Sequence, residues 1–153
     1  MPESKRPSLT PERLDMLREH IPYRVWMLRS THALIQTGIF AGPVQNALIE
    51  SFAIHARALV EFYRCRRGTK ASHFTNSSYQ AMSGELEAVA KRLHQRISEA
   101  IAHVEPGAPT ASAEKLNLKN WTELLGIIEI ETRRFVDHLP PDLRAIWGQR
   151  HVT

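Results

Sequence analysis

The sequence has a single cysteine, Cys65, and can therefore close no internal disulfide. Nothing in it argues for an oxidising compartment, and a cytoplasmic protein is expected. With no motif around it, Cys65 is read as a small residue near a helix end and not as a reactive thiol. No apolar run approaches the roughly 20 residues a helix needs to cross a bilayer. Met1–Pro7 is polar and basic and leads into no apolar stretch, so residues 1–9 are read as a flexible tail. Gly-x-Ser-x-Gly, a phosphate-cradling glycine-rich loop and a dinucleotide fingerprint are all missing, which removes three common enzyme classes. Eight histidines invite a metal, yet no two stand four apart, and His-x-x-x-His, Glu-x-x-His and Cys-x-x-Cys do not occur. Neither metal nor cofactor is implied.

What is present is ordinary globular material. The 153 residues are 42% hydrophobic and 24% charged, enough for one domain with its own core. That domain is placed at 10–148, with 149–153 as a C-terminal tail. The net charge is +4, carried by 15 arginines and 5 lysines, a balance that permits attraction to nucleic acid or another polyanion.

The period of the apolar residues is helical throughout. Thr10-Pro11-Glu12 is a helix start, and the helix is expected to run to about His20, where Pro22 breaks or kinks it. A second stretch runs from Tyr23 to about Gln36, followed by a loop from Gly38 to Gly42. Pro43 opens a helix expected to reach about Arg67, with a stripe of Leu48, Phe52, His55, Leu59 and Phe62. The polar, Ser/Thr-rich residues 69–82 are read as a loop. Ser83 then caps a helix with Leu86, Val89, Leu93, Ile97, Ile101 and Val104 on one face, ended by Pro106-Gly107-Ala108-Pro109. A last long helix, about Leu118 to Leu139, points Trp121, Leu125, Ile128, Phe135 and Leu139 inward; Pro140-Pro141 stops it, and Asp142 is placed to cap a short closing turn. The pattern implies an all-α fold, an antiparallel up-and-down bundle of four to five helices. Acid pairs two apart, Glu85/Glu87 and Glu129/Glu131, point to different helix faces and are read as solvated surface charges.

One pair is chemically suggestive. Arg96 and His103 stand seven residues apart, about 20° short of two full helical turns and roughly 10 Å along the axis. A guanidinium and an imidazole so placed reach one phosphodiester. His103 would act as general base or acid on the 2′-hydroxyl or the leaving oxygen, and Arg96 would hold the phosphate and stabilise its transition-state charge. The spacing alone does not select this pair. With four to six intervening residues allowed, Arg13/His20, Arg66/His73, Arg67/His73, Arg133/His138 and Arg144/His151 also qualify, and Arg96/His103 differs in lying within one uninterrupted amphipathic stretch. Ser98 lies off that ridge.

Two stretches, Asn46–Tyr63 (NALIESFAIHARALVEFY) and Arg96–His103 (RISEAIAH), followed by Trp121 and Phe135-x-x-x-Leu139-Pro140, resemble a group of small bacterial helical proteins. That group is similar to the HEPN superfamily of helical bundles, and the likeness spans residues 46–140. It implies a homodimer, RNA as a partner, and metal-independent endoribonuclease activity by Arg96 and His103. It also implies a toxin or phage-defence setting with an antitoxin or other protein partner. Ile97 stands where HEPN motifs often carry a polar residue. His55 and Arg57 belong to the first stretch: His55 is read as a hydrogen-bonded core histidine, or else as a second active-site or dimer-cleft residue, and Arg57 as a surface or interface cation. Two alternatives stand beside the nuclease. One is a non-catalytic RNA-binding or protein-interaction module; the other is a purely structural dimeric bundle.

Overall fold

The computed structural model describes residues 9–65, 68–76, 78–82, 84, 87–88, 90–92, 95 and 118–150. Among these residues the fold is all-α, without a strand. The chain opens on α1 (Pro11–Asp15), where Thr10 accepts a hydrogen bond from the Arg13 N–H at 3.4 Å and Pro11 occupies the first turn.

Of the break or kink expected at Pro22, the break does not occur, and the path continues into α2 (Ile21–Gln36). The helix widens instead into a π-turn over Met16–His20, in which the Ile21 N–H donates to the Met16 carbonyl. Proline has no N–H and its ring crowds the preceding turn, so Leu17 and Arg18 lose the donor that position 22 would supply. Their carbonyls are met from the far end of the chain, by Gly148 N–H at 3.0 Å and Arg150 N–H at 3.1 Å. Arg150 also donates through Nη1 to Asp15 Oδ1 at 2.9 Å. Gly148 turns into this position with φ +71, a region L side chains avoid. Arg150 is thus tied to the first helical stretch through both backbone and side chain.

After the loop 37–41, α3 (Gly42–Tyr63) runs back along α2: Tyr23 meets His55, and His32 meets Phe52. Phe52, Leu59 and Phe62 of the expected stripe are buried, with Leu48 and His55 half-buried. The helix ends four residues before the expected Arg67. Cys65 adopts φ +55, an uncommon conformation for a residue with a Cβ, and turns the chain away.

The following segment is more than a polar loop. It carries a 3₁₀ turn at Ala71–His73 and buries Ala71, Phe74, Tyr79 and Met82. Met82 N–H returns to the Tyr63 carbonyl at 3.2 Å. Among the residues expected as the next helix, 87–88, 90–92 and 95 are helical, and Glu87 pairs with Arg64 of the α3 end at 3.2 Å. The rest of that expected helix, and the Pro106–Pro109 stop, lie outside the described residues.

The last long helix, α4 (Leu118–Asp137), buries Trp121, Leu124, Ile128 and Phe135, with Leu125 only half-buried. Phe52 packs on Trp121 at 4.6 Å between ring centroids, locking α3 to α4. Phe135 is fully buried and meets Phe62 at 5.2 Å, Phe74 at 6.3 Å and Tyr79 at 6.2 Å, all edge to face. This ring cluster draws the 71–82 segment into the core. A short α5 (Pro141–Ile146) follows; its N-cap is Pro140, and Asp142 falls inside the first turn instead of capping it. Arg144 closes α4, donating Nε to the Val136 carbonyl at 3.1 Å and Nη2 to that of Asp137.

Candidate functional site

Arg96, Ser98 and His103 lie outside the described residues, and Gln95 is the last helical position given before them. His55 and Arg57 sit on α3. The His55 ring stands edge-on to Tyr23 at 5.7 Å, and its Nδ1 is buried with no hydrogen-bond partner among the described residues. Burial, and then the charge of Arg24, push this imidazole below its ordinary range, so it is neutral near pH 7. Arg57 is exposed and pairs with Glu61 one turn on, at 3.3 Å. Two residues apart on a helix, His55 and Arg57 face different ways and form no joint site. Around them the outer face of α2 and α3 exposes Tyr23, Trp26, Leu34, Val44 and Ile54.

Between α2 and α4 the polar contacts are structural. His32, buried, lies 3.0 Å from Thr122 Oγ1, and burial lowers its pKa. Arg29 reaches Glu129 with both Nε and Nη2, the latter at 2.7 Å, and holds that carboxyl below the usual range.

The C-terminal half of α4 holds a constellation that sequence reasoning missed. Glu131, read from sequence as a solvated charge, is 3% exposed. Its carboxylate takes Nε of Arg134 at 3.0 Å and Nη2 at 2.7 Å. Nη2 also donates to the Gln80 carbonyl at 2.8 Å, and the guanidinium lies 4.7 Å from the Tyr79 ring centroid. Arg134 is thereby fixed on three sides.

His138 is fixed as well. Its Nδ1 lies 2.7 Å from the Arg134 carbonyl, and its ring stands edge-on to Tyr79 at 5.6 Å. Because a carbonyl only accepts, Nδ1 carries a proton, and in the neutral form of the ring Nε2 is then the acceptor. Tyr79 is buried, its hydroxyl has no hydrogen-bond partner among the described residues, and burial pushes its pKa up. Outside this cluster lies a shallow open depression of about 380 Å³, lined by Ile130, Arg133, Arg134, Asp137 and His138. The sequence signal was the Arg133/His138 spacing, which looked no better than its neighbours.

Comparison with protein-family models, curated proteins and solved structures returns no match for this chain. The site therefore stands on its chemistry. Among the described residues no group of three or more His, Cys, Asp or Glu converges to hold a metal ion. No described helix is long and apolar enough to cross a membrane. What the α4 arrangement offers is a guanidinium preset by a buried carboxylate, a second guanidinium on an exposed side chain, and an oriented imidazole. Those groups suit an anion with hydroxyls beside it.

Proposed function

We propose that the chain is a HEPN-like antiparallel helical bundle, a cytoplasmic homodimer that cuts RNA without a metal. The observation that carries the reading is the Arg96-x6-His103 spacing within one amphipathic stretch. The all-α fold supports it, as do the helical residues 87–88, 90–92 and 95 leading up to Arg96 and the net charge of +4. His103 takes the proton of a ribose 2′-hydroxyl, whose oxygen bonds to phosphorus while the bond to the 5′-oxygen breaks. The proton is delivered to that leaving oxygen, and Arg96 stabilises the charge gathered on the phosphoryl oxygens. The exposed apolar face of Tyr23, Trp26, Leu34, Val44 and Ile54 is the surface a second copy would cover, with His55 and Arg57 beside the joint. A toxin or phage-defence role, with an antitoxin as partner, belongs to the same reading.

The protein purified in the presence of a chelator is expected to cleave RNA, and His103→Ala to abolish cleavage while the helical circular dichroism signal is retained. Salt-sensitive retention of RNA without cleavage would replace the nuclease with a binding module, a reading favoured by the cations of α4. Neither cleavage nor retention would leave a structural bundle.

A further inference from the structure

We propose that the depression on α4 is a ribonucleotide seat in which Arg133 and Arg134 hold a phosphodiester while His138, flanked by Asp137, accepts from the adjoining ribose hydroxyl. The occupant's identity as RNA rests on the reading above; the seat itself rests on geometry.

Arg134 has Nε and Nη2 committed to Glu131 and Gln80, and it lines the depression with Nη1 unengaged among the described residues. A guanidinium anchored in this way gives up little side-chain freedom when an anion arrives. Arg133 is exposed, lines the same depression and makes no hydrogen bond or ion pair to a described residue. Its reach supplies the second donor fork. Helix C-termini repel anions through their carbonyls, but here those of Arg134, Val136 and Asp137 are already taken by His138 and Arg144.

Two lining groups can accept. His138 offers Nε2, because Nδ1 is bound to the Arg134 carbonyl, and Asp137 offers its carboxylate. A phosphodiester has no O–H to give to an acceptor, whereas a ribose 2′-hydroxyl donates to one. Cations and acceptors side by side fit a ribonucleotide link better than a bare anion or a deoxy strand. Ile130, exposed at the edge, gives the sugar or base an apolar floor.

The test measures fluorescence anisotropy of labelled oligouridylate and oligodeoxyuridylate of about ten nucleotides against the full chain in the cold, with probe integrity checked on a gel. Arg133→Gln is expected to weaken oligouridylate binding about 3- to 10-fold and to lower the salt slope by about 0.7. His138→Asn keeps a donor for the Arg134 carbonyl and removes Nε2, so it is expected to erase the preference for the ribo probe. Lys119→Gln, at the other end of α4 and exposed, removes the same charge and is expected to change neither. If oligouridylate binds and all three variants behave alike, the seat is overturned and the RNA reading survives. If oligouridylate fails to bind, inorganic phosphate is titrated while the His138 ring is followed by NMR. A shift there overturns the RNA reading and keeps an anion seat; no shift overturns both.

Discussion

Two arginine–carboxylate pairs that involve α4 use the same donors, Nε and Nη2, in opposite settings: Arg29 meets both oxygens of Glu129, Arg134 a single oxygen of Glu131. Arg29–Glu129 joins α2 to α4 at the surface, with the arginine side chain 54% exposed. Arg134–Glu131 lies within one turn of α4, its carboxylate 3% exposed and its arginine 31% exposed. At the surface, water replaces either partner, and the pair contributes only the modest difference between protein and solvent contacts. Beneath the surface no water replaces the lost partner, so a buried carboxylate without its arginine is costly even where the intact pair contributes little. Geometry says how a pair is made; burial says what its loss does.

The largest expected effect breaks the buried pair from one side. Arg134→Ala strands Glu131 among the rings of the core and is expected to lower the unfolding free energy by about 3 kcal/mol, read from denaturant midpoints. The double variant Glu131→Leu/Arg134→Leu removes both charges and should lie within about 1 kcal/mol of the parent; a double variant as unstable as Arg134→Ala alone would show that the charge pair itself, and not the stranded acid, carries the stability. Arg29→Ala is expected to cost about 0.5–1 kcal/mol near neutrality. Because Arg29 depresses the Glu129 pKa, that contribution is present above the unfolded carboxyl value and lost as the pH falls through the folded one. Parent and Arg29→Ala curves should therefore converge in acid.

The smallest effect concerns His32, whose pKa is lowered by burial. The unfolded chain takes up a proton near the ordinary imidazole value while the native state does not, so stability is present above that value and lost as pH falls. Urea midpoints taken between neutrality and mild acid should decline less steeply in His32→Gln than in the parent.

The helical period made Phe52, Leu59, Ile128 and Phe135 legible as core, because a buried stripe needs apolar residues at spacings of three and four. Glu131 was lost to the same logic. It stands three after Ile128 and four before Phe135, squarely in the stripe, but its residue type argued for the surface. Phe74, Tyr79 and Met82 were hidden in a stretch with no period, and only the packing around Phe135 reveals why they are inside. Pro22 announced an irregularity, and its form, a widened turn, depended on donors that arrive from positions 148 and 150. Of the candidate chemistry, spacing was visible for Arg96/His103 and Arg133/His138 alike. What separates the latter is the anchoring of Arg134 by Glu131 and Tyr79, which is tertiary and has no signature along the chain.

The bonds from Gly148 and Arg150 to Leu17 and Arg18 also impose an order on biosynthesis. A nascent chain emerging from the ribosome presents this helix long before the residues that complete it, and the carbonyls of Leu17 and Arg18 stay hydrated until residues 148–150 are released. The helix around Leu17 thus cannot mature as an independent early unit; its final register waits on residues 148–150.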